Sequence, residues 1–90
     1  MVYYYLIENS ETRVVYEYYP ENDKSKRAGI ITIDKVSARI ELTLPAENDR
    51  ERFAEEFNER WWWYYDHAER HIVEDYNNGV IKDVGMAAWY

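Results

Sequence analysis

The chain has 90 residues, a formal net charge of −7, no cysteine and an aromatic content of 18%. That length gives one domain, residues 1–90, with a modest core. The acidic balance disfavours a nucleic-acid backbone or an anionic membrane as partner, and the absence of cysteine removes disulfide and thiolate chemistry.

Residues 2–8, rich in Tyr, Val, Leu and Ile, read as a strand. Asn9, Ser10 and Glu11 form a turn into a second strand over residues 13–19. Its alternation places Val14, Tyr16 and Tyr18 on one face, and Arg13, Val15, Glu17 and Tyr19 on the other. Pro20 ends it, and the polar residues 21–28 form an exposed loop. A third strand covers residues 29–34, a turn follows over 34–37, and residues 38–44 form the most regular strand. There Ala38, Ile40, Leu42 and Leu44 alternate with Arg39, Glu41 and Thr43. The short turns predict an antiparallel meander in the order 1-2-3-4.

Pro45 closes the sheet, and Asn48 or Asp49 caps a helix, with Glu51 placed for a capping box from Asn48. The pattern predicts a helix from about residue 49 to about residue 76, stopped by Asn77, Asn78 and Gly79. Phe53, Phe57, Trp61, Tyr64, Ala68 and Ile72 follow one another at spacings of 4, 4, 3, 4 and 4, an apolar stripe for the sheet. With Ile40 and Leu42, the stripe from Phe57 onward is the expected core. Residues 84–89 read as a short fifth strand or an extended tail, with Trp89 docked at a sheet edge or against the helix. The expected class is α+β: a four- or five-stranded antiparallel meander packed against one long helix of the C-terminal half.

The run Trp61-Trp62-Trp63-Tyr64-Tyr65 is too wide for one helix face, because successive residues turn by about 100°. Trp62 and Trp63 fall about 120° and 140° from the stripe's centre. They lie over their own helix or meet a partner. A helix of roughly 28 residues would span about 42 Å, against about 23 Å for a seven-residue strand. Such an overhang favours a second copy of the same chain.

His67, His71 and Asp75 stand at i, i+4 and i+8, a spacing that can serve a metal. Ala68 occupies the position where the zincin motif needs Glu, and Glu69 comes one residue later, so no metal site is expected. Asp34, Asp66, Glu69 and Glu74 offer carboxylates for acid–base work, but 18 acidic residues make chance pairing common. Three glycines in all, and no phosphate-loop motif, leave no cofactor expected. Lys24, Lys26, Arg27 and Lys35 form the one local basic cluster and read as a solvated loop. Tyr3, Tyr4, Tyr5, Tyr16, Tyr18 and Tyr19 are dense enough either to pair across strands or to line a ligand groove.

The stretches 3–8 (YYYLIE), 46–49 (AEND), His67-Ala68 and Ala88-Trp89-Tyr90 resemble a group of short bacterial proteins of the β-meander-plus-helix type without an assigned activity. The resemblance implies a bacterial origin and a stand-alone small domain. It transfers no catalytic residue.

The sequence thus predicts a non-enzymatic, cytoplasmic interaction module. Its partner is a protein, a second copy being the simplest case. The contact residues expected are Trp62, Trp63 and Trp89, or else a sheet edge. The alternative is a small-molecule or peptide binder using the sheet tyrosines Tyr3, Tyr5 and Tyr19.

Overall fold

The computed structural model describes residues 1–56 and 59–89. Among these, β1 (Val2–Asn9), β2 (Arg13–Pro20), β3 (Gly29–Asp34) and β4 (Arg39–Leu44) form the expected antiparallel meander. The last strand, here called β7 (Val84–Ala87), adds antiparallel to the free side of β1, giving the order β4-β3-β2-β1-β7. The fold is therefore α+β, a five-stranded sheet with one helix, α1 (Trp63–Asn77), on one face.

The alternation in each strand decides which face meets α1. Val2 and Tyr4, then Val14, Tyr16 and Tyr18, then Ile31 and Ile33 are all buried beneath the helix residues Tyr64, Ala68 and Ile72. Ile40 and Leu42 pack on this core but stay partly exposed, because β4 lies at the sheet's edge. Two core tyrosines fit because glycine stands opposite them. Tyr4 pairs with Gly85 and Tyr18 with Gly29. A Cβ on Gly85 would lie 2.1 Å from the Tyr4 ring, and one on Gly29 would lie 2.0 Å from that of Tyr18.

The expected helix over 49–76 is corrected at its start. Residues on either side of the chain's middle form a two-stranded hairpin instead, β5 (Glu51–Ala54) with β6 (Glu59–Trp62). Only then does α1 begin. Of the predicted stripe, Tyr64, Ala68 and Ile72 are buried; Phe53 is 53% exposed on β5, and Trp61 is partly exposed on β6. Phe57 lies outside the described residues. The physical reason is the cap: the Asp49 carboxylate holds the Tyr64 and Tyr65 amides, which sets the helix start at Trp63. A helix of 15 residues spans about 22 Å, the span of the strands it covers, so no overhang arises.

Both ends of α1 are satisfied by specific groups. Asp49 does cap a helix, but one that starts 14 residues later in the sequence. Its Oδ1 accepts from the Tyr64 amide at 2.8 Å and its Oδ2 from the Tyr65 amide at 3.2 Å. The Arg50 carbonyl accepts from the Trp63 amide at 2.8 Å. The first three orphan donors of the helix are thus all met by the segment leaving the sheet. At the other end Gly79 adopts φ +75°. The Gly79 amide donates to the Tyr76 carbonyl and the Val80 amide to the Asp75 carbonyl at 2.8 Å, a Schellman closure at the predicted stop.

Candidate functional site

Because β4 is an outer strand, one of its sides has no neighbouring strand among the described residues. The chain passes from β4 through Pro45 to Asp49, and Asp49 fixes where α1 starts. The hairpin is thereby held beside the β4 edge. The result is an open groove of about 460 Å³ between Ile40, Leu42 and Pro45 on one wall and Trp61, Trp62 and Tyr65 on the other.

The anchor of this arrangement is buried. Tyr18 is fully enclosed; its hydroxyl donates to Asp49 Oδ2 at 2.7 Å and accepts from the Ala46 amide at 3.0 Å. Burial drives the Tyr18 hydroxyl pKa far above its ordinary value, the Ala46 amide opposing and the Asp49 charge adding to the rise. The group therefore stays protonated and keeps donating.

The groove is acidic as well as aromatic. Glu41, Asp66 and Glu69 line it. The Tyr65 hydroxyl is raised by burial, then by Glu69, Asp66 and Glu41, so all three carboxylates act at one point. The Glu69 carboxyl is itself raised, first by burial and then by the charge of Asp66, while its hydrogen bond from Tyr65 works the other way. Arg70 pairs with Asp66 at 3.0 Å from an exposed position. Among the described residues, Glu41 and Glu69 form no ion pair. Beyond Glu69 the groove continues into a smaller pit of about 180 Å³ lined by Ile33, Ile40, Val73 and Tyr76.

The three tryptophans expected as partner contacts separate. Trp62 lines the groove. Trp63 and Trp89 turn to each other on the far side of α1, ring centroids 6.2 Å apart and nearly perpendicular. Trp89 stacks flat on His67 at 3.8 Å and meets Tyr64 edge-on at 5.5 Å. Arg52 of β5 lies 3.9 Å over the Trp63 ring, a cation–π cover. The indole of Trp89 is partly buried against the helix, and β7 leads it there from the β1 edge. Much of the Trp63 and Trp89 ring surface is thus used within the chain.

The sheet tyrosines expected as an alternative site do come together on the face away from α1. Tyr3 and Tyr5 stack at 6.4 Å, and Tyr5 meets Tyr19 edge-on at 5.7 Å. Lys24 sits 4.3 Å over the Tyr5 ring, and the Tyr5 hydroxyl donates to Asn22 Oδ1 at 2.7 Å. The Tyr3–Tyr5 stack runs along β1 and the Tyr5–Tyr19 contact is a diagonal pair between β1 and β2, the kind that stabilises a sheet, with a lysine laid over it. His67 is occupied by its stack on Trp89, and Asp75 pairs with Lys82 at 3.1 Å. Among the described residues no group of three His, Cys, Asp or Glu is placed to hold a metal ion.

The sequence alternation sets Glu41 opposite Ile40 and Leu42 on β4 and offers Glu69 as one of several helix carboxylates, but does not bring the two together. Their meeting depends on how α1 crosses the edge strand. No family model matches the chain, and no curated protein or solved structure matches it. Among the described residues no helix is long and apolar enough to cross a membrane.

Proposed function

We propose that the chain is a non-enzymatic, cytoplasmic binding module that takes an extended segment of another protein along the β4 edge. The observation that carries this reading is the juxtaposition of an outer strand with an aromatic wall, Trp61, Trp62 and Tyr65, across an open groove. An outer strand offers unpaired backbone donors and acceptors, and flanking pockets choose side chains; together these are the parts of strand-addition recognition. The net charge of −7 makes two copies repel, which weighs against self-association as the main use of this surface.

The second reading, a ligand site on the tyrosine face, draws support from the contiguous Tyr3, Tyr5 and Tyr19 rings. The two readings separate in one experiment. Random heptapeptides are selected against the intact chain by display, and the bound position is mapped by amide and indole N–H chemical shifts. The expected result is movement at Glu41, Leu42, Trp61 and Trp62. Shifts confined to Tyr3, Tyr5 and Tyr19 would transfer the function to the open sheet face. Failure to select any peptide would overturn the strand-addition reading.

A further inference from the structure

From the groove's charge and walls we infer that its occupant is a basic extended segment, whose lysine or arginine seats between the Trp61–Trp62–Tyr65 wall and the carboxylates of Glu41 and Glu69. This rests on the strand-addition reading above and specifies the partner it takes.

Three observations point the same way. First, the carboxylates that line the groove are not balanced within it. Asp66 has Arg70, but among the described residues Glu41 and Glu69 pair with no cation. Second, Glu69 is half-buried, and desolvation and then Asp66 oppose its charge more than the Tyr65 hydroxyl and Arg70 support it. A cation arriving there relieves a cost already present in the free protein, so the interaction gains more than an exposed pair would. Third, the facing wall is aromatic. A guanidinium or ammonium beside Trp and Tyr rings gains cation–π attraction on one side and a charge-assisted hydrogen bond on the other.

The same chain shows that its own aromatics take such neighbours: Arg52 covers Trp63 and Lys24 covers Tyr5. Neither cation lines the β4 groove. Arg39, the basic residue of β4, does not line the groove; it lines an adjoining hollow with Asp34 and Thr32, which Ile40 and Glu41 border as well, and among the described residues it forms no ion pair with Glu41 there. The pit past Glu69, lined by Ile33, Ile40, Val73 and Tyr76, extends the preference. A bound strand would place an apolar side chain there and its basic residue at Glu69.

Three blocked heptapeptides test this: alternating Thr-Lys, alternating Thr-norleucine and alternating Thr-Glu. Norleucine keeps the lysine stem and removes the charge. Binding to the full chain is measured by isothermal titration at 50 and 300 mM salt. The lysine peptide should bind at least about tenfold more tightly than the norleucine peptide, the scale of a partly desolvated cation beside an aromatic face and a carboxylate. The glutamate peptide should not bind, and the lysine peptide should weaken with salt. Glu69→Gln should erase the lysine preference without lowering the melting temperature, because the charge it removes is already opposed in the folded chain.

Equal affinity for lysine and norleucine peptides, both mapping to Trp61 and Trp62, would overturn the basic-partner inference and leave the strand-addition reading intact. Loss of binding by all three would overturn the inference, and the display experiment decides the wider reading by itself. If light scattering shows a dimer that Glu69→Gln and Lys26→Glu each break, the occupant is the basic loop of a second copy and the inference of a foreign partner falls.

Discussion

Tyr18 and Asp49 show how much one buried contact can organise. Asp49 accepts from a tyrosine hydroxyl, from two helix amides and from the Arg50 amide, so its removal takes the partner from four donors. Asp49→Ala should cost about 2–3 kcal/mol, the sum of a lost helix cap and buried polar groups left unmet. Urea unfolding measures it; a loss below about 0.5 kcal/mol, the range of ordinary surface substitutions, would mean the cap is not formed. The glycine opposite Tyr18 is a matter of space. Gly29→Ala would put a methyl 2.0 Å from the Tyr18 ring and 2.6 Å from the Ala46 amide nitrogen. The ring cannot retreat without giving up Asp49, so the change should destabilise by about 1–3 kcal/mol, as overpacking does. Gly79→Ala is the useful comparison, since nothing lies within 4 Å there and only the φ of +75° is strained. It should cost about 1–2 kcal/mol through backbone conformation alone. Thermal melts of a Gly29→Ala, Tyr18→Phe double variant then tell the two apart, because loosening the ring's anchor should lessen the incremental cost at Gly29 but not at Gly79.

At the level of elements, α1 links the sheet to the tail through one stacked pair. His67 lies flat on Trp89, and burial depresses its pKa below the usual value near 6.5, Asp66 opposing and Arg70 reinforcing the shift. The folded state thus holds the proton less well than the unfolded chain. This contribution to stability is full above about pH 6.5 and is lost as the pH falls from there toward the depressed folded value. Glu69, raised in the folded state, works in the opposite sense as the pH rises through its unfolded range. His67→Phe keeps a ring on Trp89 and removes the titration. Between pH 7.5 and pH 5 the melting temperature of the native chain should therefore drop relative to that of His67→Phe. Parallel pH curves for the two proteins would show that the stack does not discriminate the protonation state.

For the whole molecule, the sheet closes one of its two sides with its own last strand. β7 covers the β1 edge and brings Trp89 to the helix, whereas the β4 edge is left beside the groove. Deleting residues 85–90 would open β1, remove the buried Ala87 and take away the aromatic cap on His67 and Tyr64. The expected loss is about 2–4 kcal/mol, the scale of removing one large apolar anchor, with aggregation through the newly open edge. An unchanged melting temperature would mean that β7 and Trp89 add nothing to the fold. The contrast between the two edges also supports the functional reading, because the chain covers one and furnishes the other with aromatic and acidic side chains.

The amino-acid sequence by itself determined the meander, because the two-residue alternation of Val14, Tyr16 and Tyr18, or of Ile40 and Leu42, admits one inward face. It also determined the helix stop, since Gly79 adopts a backbone angle costly to other residues, and it marked the terminal Met-Ala-Ala-Trp segment as one that docks. Where α1 begins was decided only in three dimensions. Phe53, Phe57, Trp61 and Tyr64 keep helical spacing, and Asn48 with Glu51 imitates a capping box, so local pattern favours a helix from residue 49. The strand preference of the aromatic run around Trp61 and Trp62 is the competing local signal. What settles the contest is Asp49: its carboxylate is taken by the hydroxyl of Tyr18, a sheet residue 31 positions away, and by the amides of Tyr64 and Tyr65. That contact exists only once the sheet is formed, and it puts the helix start at the end of a hairpin instead of at Asp49 itself. The groove follows from the same contact, because Glu41 and Glu69 share a site only when α1 crosses the β4 edge.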